Sequence, residues 1–194
     1  MLRGRDKLKK IEPLVNIFIL ITKMLPMIIR KQLFFFSRGI TGNLGLLIRY
    51  ILLKTIAKSC GNNVACHTNV YFFNPENISI GNNVSIHPMC YIDASGGIEI
   101  GSDVSIAHGN TIMSATHAYE NVYIPIADQG IVLKKVVIKD NVWLGAKATI
   151  VCGVTIHSGS IVGANSVITK DTLPNSIVGG VPAKVIKYRG GEPL

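Results

Sequence analysis

Through the second half of the chain an aliphatic residue returns at every sixth position: Ile138, Leu144, Ile150, Ile156, Val162 and Ile168 follow one another without a break. An earlier series runs Cys60, Cys66, Phe72, then Ile80, Ile86, Ile92, then Ile100, Ile106, Ile112, with two extra residues after each third member. Four positions after many of these stands a small or β-branched residue, as at Val64, Val70, Val84, Val104, Val142, Ala148, Val154, Ser160 and Ser166. A helix, repeating every 3.6 residues, cannot use a period of six, and a strand would put i and i+2 on one face, whereas here polar Asn, Asp and Gly recur between the aliphatic positions. Between the apolar positions recur GNNV at 61 and 81, GSDV at 101 and KDNV at 139. Gly and Asn tolerate the left-handed backbone of a sharp corner. Each hexad therefore predicts one short strand and one corner. Three hexads close a triangular coil around an apolar interior, and coils stack about 4.8 Å apart as a parallel β-helix. The two-residue insertions, at 74–79 and 94–99, fall at the same corner of successive coils.

The rhythm stops after Ile112, where IMSATHAYENVYIPIADQG intervenes. A projecting loop over 117–135 is expected there, and long loops inside compact repeats are usually functional. The first fifty-nine residues follow another pattern: the apolar runs PLVNIFILIT and MLPMII, interrupted by Lys23, Pro26, Arg30 and Lys31, read as helical. No apolar run reaches the ~20 residues needed to span a bilayer. The basic, apolar start also mimics a signal peptide, but no convincing small-residue cleavage site follows. The expected organisation is an N-terminal segment 1–59, a β-helix domain 60–173 and a C-terminal tail 174–194.

Charge sharpens that division. The chain carries +9, yet residues 1–58 hold twelve basic and two acidic residues, against eight and nine in the remainder. The excess belongs to the N-terminal segment, which offers a basic, apolar surface for anionic lipid or for packing against protein. Both alternatives stay open on the sequence, and no nucleic-acid partner is expected. Cys60, Cys66, Cys90 and Cys152 lack C-x-x-C spacing and read as free thiols in a reducing cytoplasm.

Several stretches of residues 60–189 resemble the hexapeptide-repeat acyltransferases, and most closely their galactoside, maltose and polysaccharide O-acetyltransferases. They are SATH, IPIADQG, VVIKDNVWLGAKATIVCGVTIHSGSIVGANSVITKD and IVGGVPAKVIKYR. The resemblance implies a mainly β fold with a left-handed coil, a homotrimer with active sites between subunits, and a loop that reaches a neighbouring subunit. It also implies acetyl transfer from acetyl-coenzyme A, a co-substrate rather than a resident cofactor, to a sugar hydroxyl. The expected setting is surface-polysaccharide biosynthesis (O-antigen, capsule or exopolysaccharide), in the cytoplasm or at the inner face of the membrane.

His117, where the loop leaves the coil, matches the catalytic position of SATH. Transfer to a hydroxyl needs a base for its proton, and imidazole titrates in the useful range. Asp93, in YIDASGG one coil earlier, resembles an acidic position that contacts acceptor hydroxyls; its alternative reading is a solvated corner carboxylate. Trp143 and Gly145 resemble the family's acyl-donor wall, continued by Gly163, Ala164, Thr169 and Lys170. Lys184 and Arg189, after the GGVPAK turn, would meet coenzyme A phosphates, or else belong to a solvated basic tail.

Three further readings stay open. The acceptor group is an amine on a nucleotide-linked sugar instead of a hydroxyl. His67, His87 and His108, on successive coils, form a zinc site of the hydratase type, although His108 is displaced by one residue and no metal ligand is otherwise expected. The β-helix is a non-catalytic scaffold.

Overall fold

The computed structural model describes residues 4–191, and side chains from Glu12 onward. Residues 1–3 and 192–194 of the expected N- and C-terminal segments lie outside the described residues, as do the side chains of 4–11.

Three helices come first: α1 (Gly4–Lys23), α2 (Met27–Ser37) and α3 (Gly42–Ile56). A β-solenoid of about six turns follows. Its opening coil is β1 (Ser59–Cys60), β2 (Ala65–Cys66) and β3 (Tyr71–Phe73). The second is β4 (Ile78–Ile80), β5 (Ser85–Ile86) and β6 (Tyr91–Asp93), and the third is β7 (Ile98–Ile100), β8 (Ser105–Ile106) and β9 (Thr111–Met113). An antiparallel hairpin, β10 (Ala115–His117) with β11 (Ile131–Leu133), then leaves the solenoid. Coiling resumes with β12 (Val136–Ile138), β13 (Trp143–Leu144) and β14 (Thr149–Ile150), then β15 (Thr155–Ile156), β16 (Ile161–Val162) and β17 (Val167–Ile168). A last pair, β18 (Ser176–Gly180) and β19 (Ala183–Tyr188), closes the chain.

Equivalent strands stack in parallel into three walls. The first wall is β1-β4-β7-β12-β15, the second β2-β5-β8-β13-β16-β18, and the third β3-β6-β9-β14-β17. The register places the six-residue series in columns: Ile80, Ile100, Ile138 and Ile156 in the first wall, Ile86, Ile106, Leu144 and Val162 in the second, Ile92, Ile112, Ile150 and Ile168 in the third. Every one of these side chains is at most 3% exposed. Burying each is worth about 1.5–3 kcal/mol, so the columns form the continuous core.

The corners confirm the left-handed backbone expected of the GNN and SDV repeats. Asn63, Asn83, Asp103 and Asn141 all have φ between 56° and 59° at the corner joining the first wall to the second. Their side chains form a ladder: Asn63 Nδ2 donates to Asn83 Oδ1 at 3.0 Å, and Asn83 Nδ2 to Asp103 Oδ1 at 2.9 Å. The polar repeat therefore satisfies itself from coil to coil while the aliphatic repeat fills the interior.

The helices cap the first coil. Arg49 of α3, 1% exposed, donates from Nε to the Cys66 carbonyl at 2.8 Å and from one terminal nitrogen to the carbonyls of Ser37 and Ile40 at 2.8 and 2.7 Å. A buried guanidinium needs such partners, and here they bind α2, α3 and the solenoid together. At the other end β19 pairs antiparallel with β18, which ends the parallel stacking of the second wall.

Candidate active site

The hairpin that carries His117 starts at the corner joining the third wall to the first. Both earlier insertions use this corner: a short 3₁₀ turn over Pro75–Asn77 in the first coil, and the turn at Ser95–Gly97 in the second. Ser114, fully buried, pins the hairpin root. Its hydroxyl donates to the Asp93 carbonyl at 2.7 Å and accepts the Gly96 N–H at 2.8 Å, while its carbonyl accepts the Lys134 N–H at 2.9 Å. A Cβ at Gly96 would sit 2.3 Å from the Ser114 carbonyl oxygen, so the root packs this closely only against glycine. The loop is braced from within by Gln129. Its Nε2 donates to the carbonyls of Asn121 and Ile124, both at 2.8 Å, and its Oε1 accepts the Asn121 N–H at 3.0 Å. Ser114 and Gln129 are bracing positions that reading the chain did not single out; both sit inside the quoted motifs SATH and IPIADQG, which was the available signal.

His117 ends β10 opposite Ile131, with an exposed side chain that makes no hydrogen bond among the described residues. Its ring is open to solvent. Around the loop, Tyr119, Val122, Tyr123 and Ile126 are 63, 83, 93 and 56% exposed, an apolar surface unusual for a loop that served only as a connection.

Asp93 lies on the third wall, in register with Phe73 and Met113, directly below the hairpin root. Its Oδ1 accepts both the N–H and the hydroxyl of Ser95, at 2.9 and 2.6 Å. One carboxylate oxygen thus serves a corner turn, and among the described residues Oδ2 is not engaged. Phe73 and Tyr91, with ring centroids 5.0 Å apart, flank it on the same outer face. Aromatic faces beside a carboxylate can hold the apolar and hydroxyl faces of a sugar ring together.

The expected donor residues fall on three edges of the solenoid. Gly145, Gly163 and Ala164 come together at the corner between the second and third walls, where a Cβ on Gly145 would lie 2.6 Å from the Val162 carbonyl oxygen. Lys184 joins them, since it pairs with Gly179, which lies beside Gly163. Trp143, 53% exposed, stands on the outer second wall between Ser105 and Ile161, away from the hairpin. Thr169 and Lys170 follow β17 at the opposite edge of the third wall, the edge from which the hairpin emerges. Arg189 sits at the corner between the first and second walls, where it donates to the Gly159 carbonyl at 3.0 Å and its N–H to the Asn175 carbonyl at 2.8 Å. Within one chain, His117 and the Gly145–Gly163–Lys184 group occupy opposite edges of the third wall.

The histidines of the zinc reading are partly aligned. His67 and His87 stack with centroids 4.8 Å apart and planes 9° apart, but the next register position holds Ala107, and His108 is at the corner beyond. No group of three His, Cys, Asp or Glu able to hold a metal ion occurs among the described residues. The four cysteines are free. Burial pushes the thiols of Cys60 and Cys90 up to about 11 and that of Cys66 to about 12, which suits packing rather than nucleophilic chemistry.

Residues 135–170 match the bacterial transferase hexapeptide family, described by six repeats. The galactoside O-acetyltransferase of Escherichia coli K12 is 34% identical over 140 residues, which span 72% of this chain and 68% of that protein. A maltose O-acetyltransferase from Clostridium difficile 630 superposes with a TM-score of 0.72 at 28% identity, covering 82% of this chain and 83% of the other. An N-acyltransferase from Bacillus cereus, solved with coenzyme A and dTDP-4-amino-4,6-dideoxyglucose, superposes at 0.57 with 29% identity over 72% of this chain and 88% of its own. Other relatives align over less: the match spans 30% of the chloramphenicol acetyltransferase of Agrobacterium fabrum and 25% of that of Morganella morganii. With its hexad columns, its hairpin-borne histidine and a galactoside O-acetyltransferase aligned over most of its length, the chain belongs to the hexapeptide-repeat acetyltransferase family.

Proposed function

We propose that this protein transfers the acetyl group of acetyl-coenzyme A to a sugar hydroxyl. The observation that carries this reading is His117, exposed at the root of a braced hairpin, next to the wall that bears Asp93 and the aromatic pair Phe73 and Tyr91. The relatives named for galactoside and maltose supply the acceptor class.

In this reading neutral His117 accepts the hydroxyl proton as the sugar oxygen attacks the thioester carbonyl. The tetrahedral intermediate then collapses, the carbon–sulfur bond breaks, and the coenzyme A sulfur takes the proton back from His117. Asp93 Oδ2 accepts a second acceptor hydroxyl and orients the ring. Gly145 and Gly163 let the pantetheine arm lie against bare backbone, with Lys184 near its phosphates.

Donor group and His117 lie at opposite edges of the third wall, so one chain does not form the site alone. We infer a homotrimer in which the hairpin of one subunit closes over the donor edge of the next; the exposed Val122 and Tyr123 then gain an apolar partner. Acetyl-coenzyme A chemistry places the reaction in the cytoplasm, and surface-polysaccharide synthesis supplies a consumer of acetylated sugars. A second reading, N-acetylation of a nucleotide-linked amino sugar, is favoured by the B. cereus N-acyltransferase and its bound sugar nucleotide.

Labelled acetyl-coenzyme A, offered with free, nucleotide-linked and lipid-linked sugars bearing either hydroxyl or amino groups, separates the two. Label recovered as an ester on hydroxyl acceptors is the expected result. Amide formation with amino sugars alone would replace it with the second reading, and no transfer to any acceptor would overturn both.

A further inference from the structure

Helix α1 carries two apolar faces, and the core uses only one. Val15 and Ile19 are 5 and 9% exposed, on the face packed toward α3. Leu14, Ile17, Phe18 and Ile21 stand at i, i+3, i+4 and i+7 and are 54, 53, 50 and 56% exposed. That spacing puts them on one stripe, the pattern that ordinarily marks a buried helix face. Here the stripe points away from the core. Either side of the turn at Pro26, Met24 and Ile28 are also exposed, at 85 and 70%. A contiguous apolar surface of this kind marks an interaction site.

Charge decides what occupies it. The segment 1–58 holds twelve basic residues against Asp6 and Glu12, and five of the twelve, Arg3, Arg5, Lys7, Lys9 and Lys10, precede the stripe in sequence. Lys23 lies in the last turn of α1, on the opposite side of the helix from the stripe. A second copy of this chain docked on the same face would bring two such cationic segments together, which repels. An anionic bilayer surface complements both the apolar stripe and the charge. No helix among the described residues is long and apolar enough to cross a membrane, and from Leu14 to Ile21 the stripe runs about 10 Å along the axis, which suits a helix lying in the interface plane.

We propose that the exposed stripe of α1, together with Met24 and Ile28, docks the protein on an anionic lipid surface. The helices cap the first coil, and the hairpin root lies two coil spacings away, about 10 Å. The proposal does not depend on the transferase reading.

The test is sedimentation of the full chain with vesicles of phosphatidylcholine alone and of phosphatidylcholine mixed with phosphatidylglycerol. Binding to the anionic vesicles only, weakening as salt is raised, is the expected result. Combined Ile17→Gln, Phe18→Gln and Ile21→Gln, all at exposed positions, should weaken that binding by about tenfold or more, with the circular dichroism spectrum and solution mass unchanged. Lys23→Glu, a charge reversal at the helix end, should weaken it too and leaves the apolar stripe intact. Equal binding to neutral vesicles, no binding to anionic ones, or wild-type binding by both variants overturns the proposal. A fall in solution mass of the triple variant also overturns it and assigns the stripe to a copy of this chain.

Discussion

His117 is placed by three short-range facts: a buried Ser114 hydroxyl at the hairpin root, a glycine at position 96 that admits the close approach, and a three-residue strand that ends at the imidazole. Because the ring is exposed and makes no internal hydrogen bond among the described residues, His117→Ala should leave folding intact. Turnover should fall by about 10²–10⁴-fold, the usual cost of a lost acid–base group. Steady-state assays with circular dichroism as the folding control check this, and near-native turnover by a folded mutant would remove the catalytic role. A different histidine reports on stability. Burial holds the His67 imidazole below its ordinary value, and the His87 ring and the Arg49 guanidinium act in the same direction. The folded protein therefore binds this proton less readily than the unfolded chain. That contribution is fully present above about pH 6.5 and is lost as pH falls toward the lowered folded-state value. Melting temperatures recorded from about pH 7 to about pH 5 should decline, and His67→Gln should flatten the decline; an unchanged slope would contradict the assignment.

Among the elements, the corners set the tolerance of the solenoid. A Cβ on Gly145 would meet the backbone of the next coil at Val162, Gly163 and Ala164, within 2.6–3.0 Å, and backbone held in a ladder cannot shift cheaply. Gly145→Ala should therefore lower unfolding stability by about 1–3 kcal/mol, as overpacking does elsewhere. Gly39→Ala is the control, since nothing lies within 4 Å of its added Cβ. Denaturant titration of the two variants decides it, and equal stabilities would show that the coils have slack. The corner chemistry was readable in advance at Asn63, Asn83, Asp103 and Asn141, the third residues of the GNN, GSD and KDN repeats, which adopt positive φ. Two corner residues were not: Met89 and Lys147 also adopt positive φ, at 62° and 58°. There the stacked neighbours impose the turn against the preference of the residue itself.

At the scale of the whole molecule, the proposed site, with His117 apart from Gly145, Gly163 and Lys184 within one chain, is complete only with a second subunit in our reading. Light scattering should give a mass about three times the 21.0 kDa chain, and activity should persist only in that form. A fully active monomer would refute the shared site. Mixing His117→Ala subunits with subunits altered at Lys184 sharpens the result, because a mixed trimer regains some sites in which both residues are intact.

What the sequence determined by itself is whatever repeats or is local. The six-residue period specifies strand, corner and inward face together, since only one arrangement buries every sixth residue while Asn and Gly make the turns, so the solenoid and the place of its interruption were legible at Ile112. The helical character of the N-terminal segment was legible from its apolar runs. The tertiary structure alone decided which apolar face of α1 is left uncovered, since Leu14, Ile17, Phe18 and Ile21 have the same spacing as a core stripe and only the packing of Val15 and Ile19 toward α3 distinguishes the two. It alone distributed the expected donor residues over separate edges, because Gly163 and Thr169 are six residues apart in the chain yet one full wall apart in space. It also committed the Arg189 side chain to the Gly159 carbonyl, thirty residues away. Position around a coil depends on how many residues each corner consumes, and that count is settled by stacking against neighbouring coils rather than by the hexad itself.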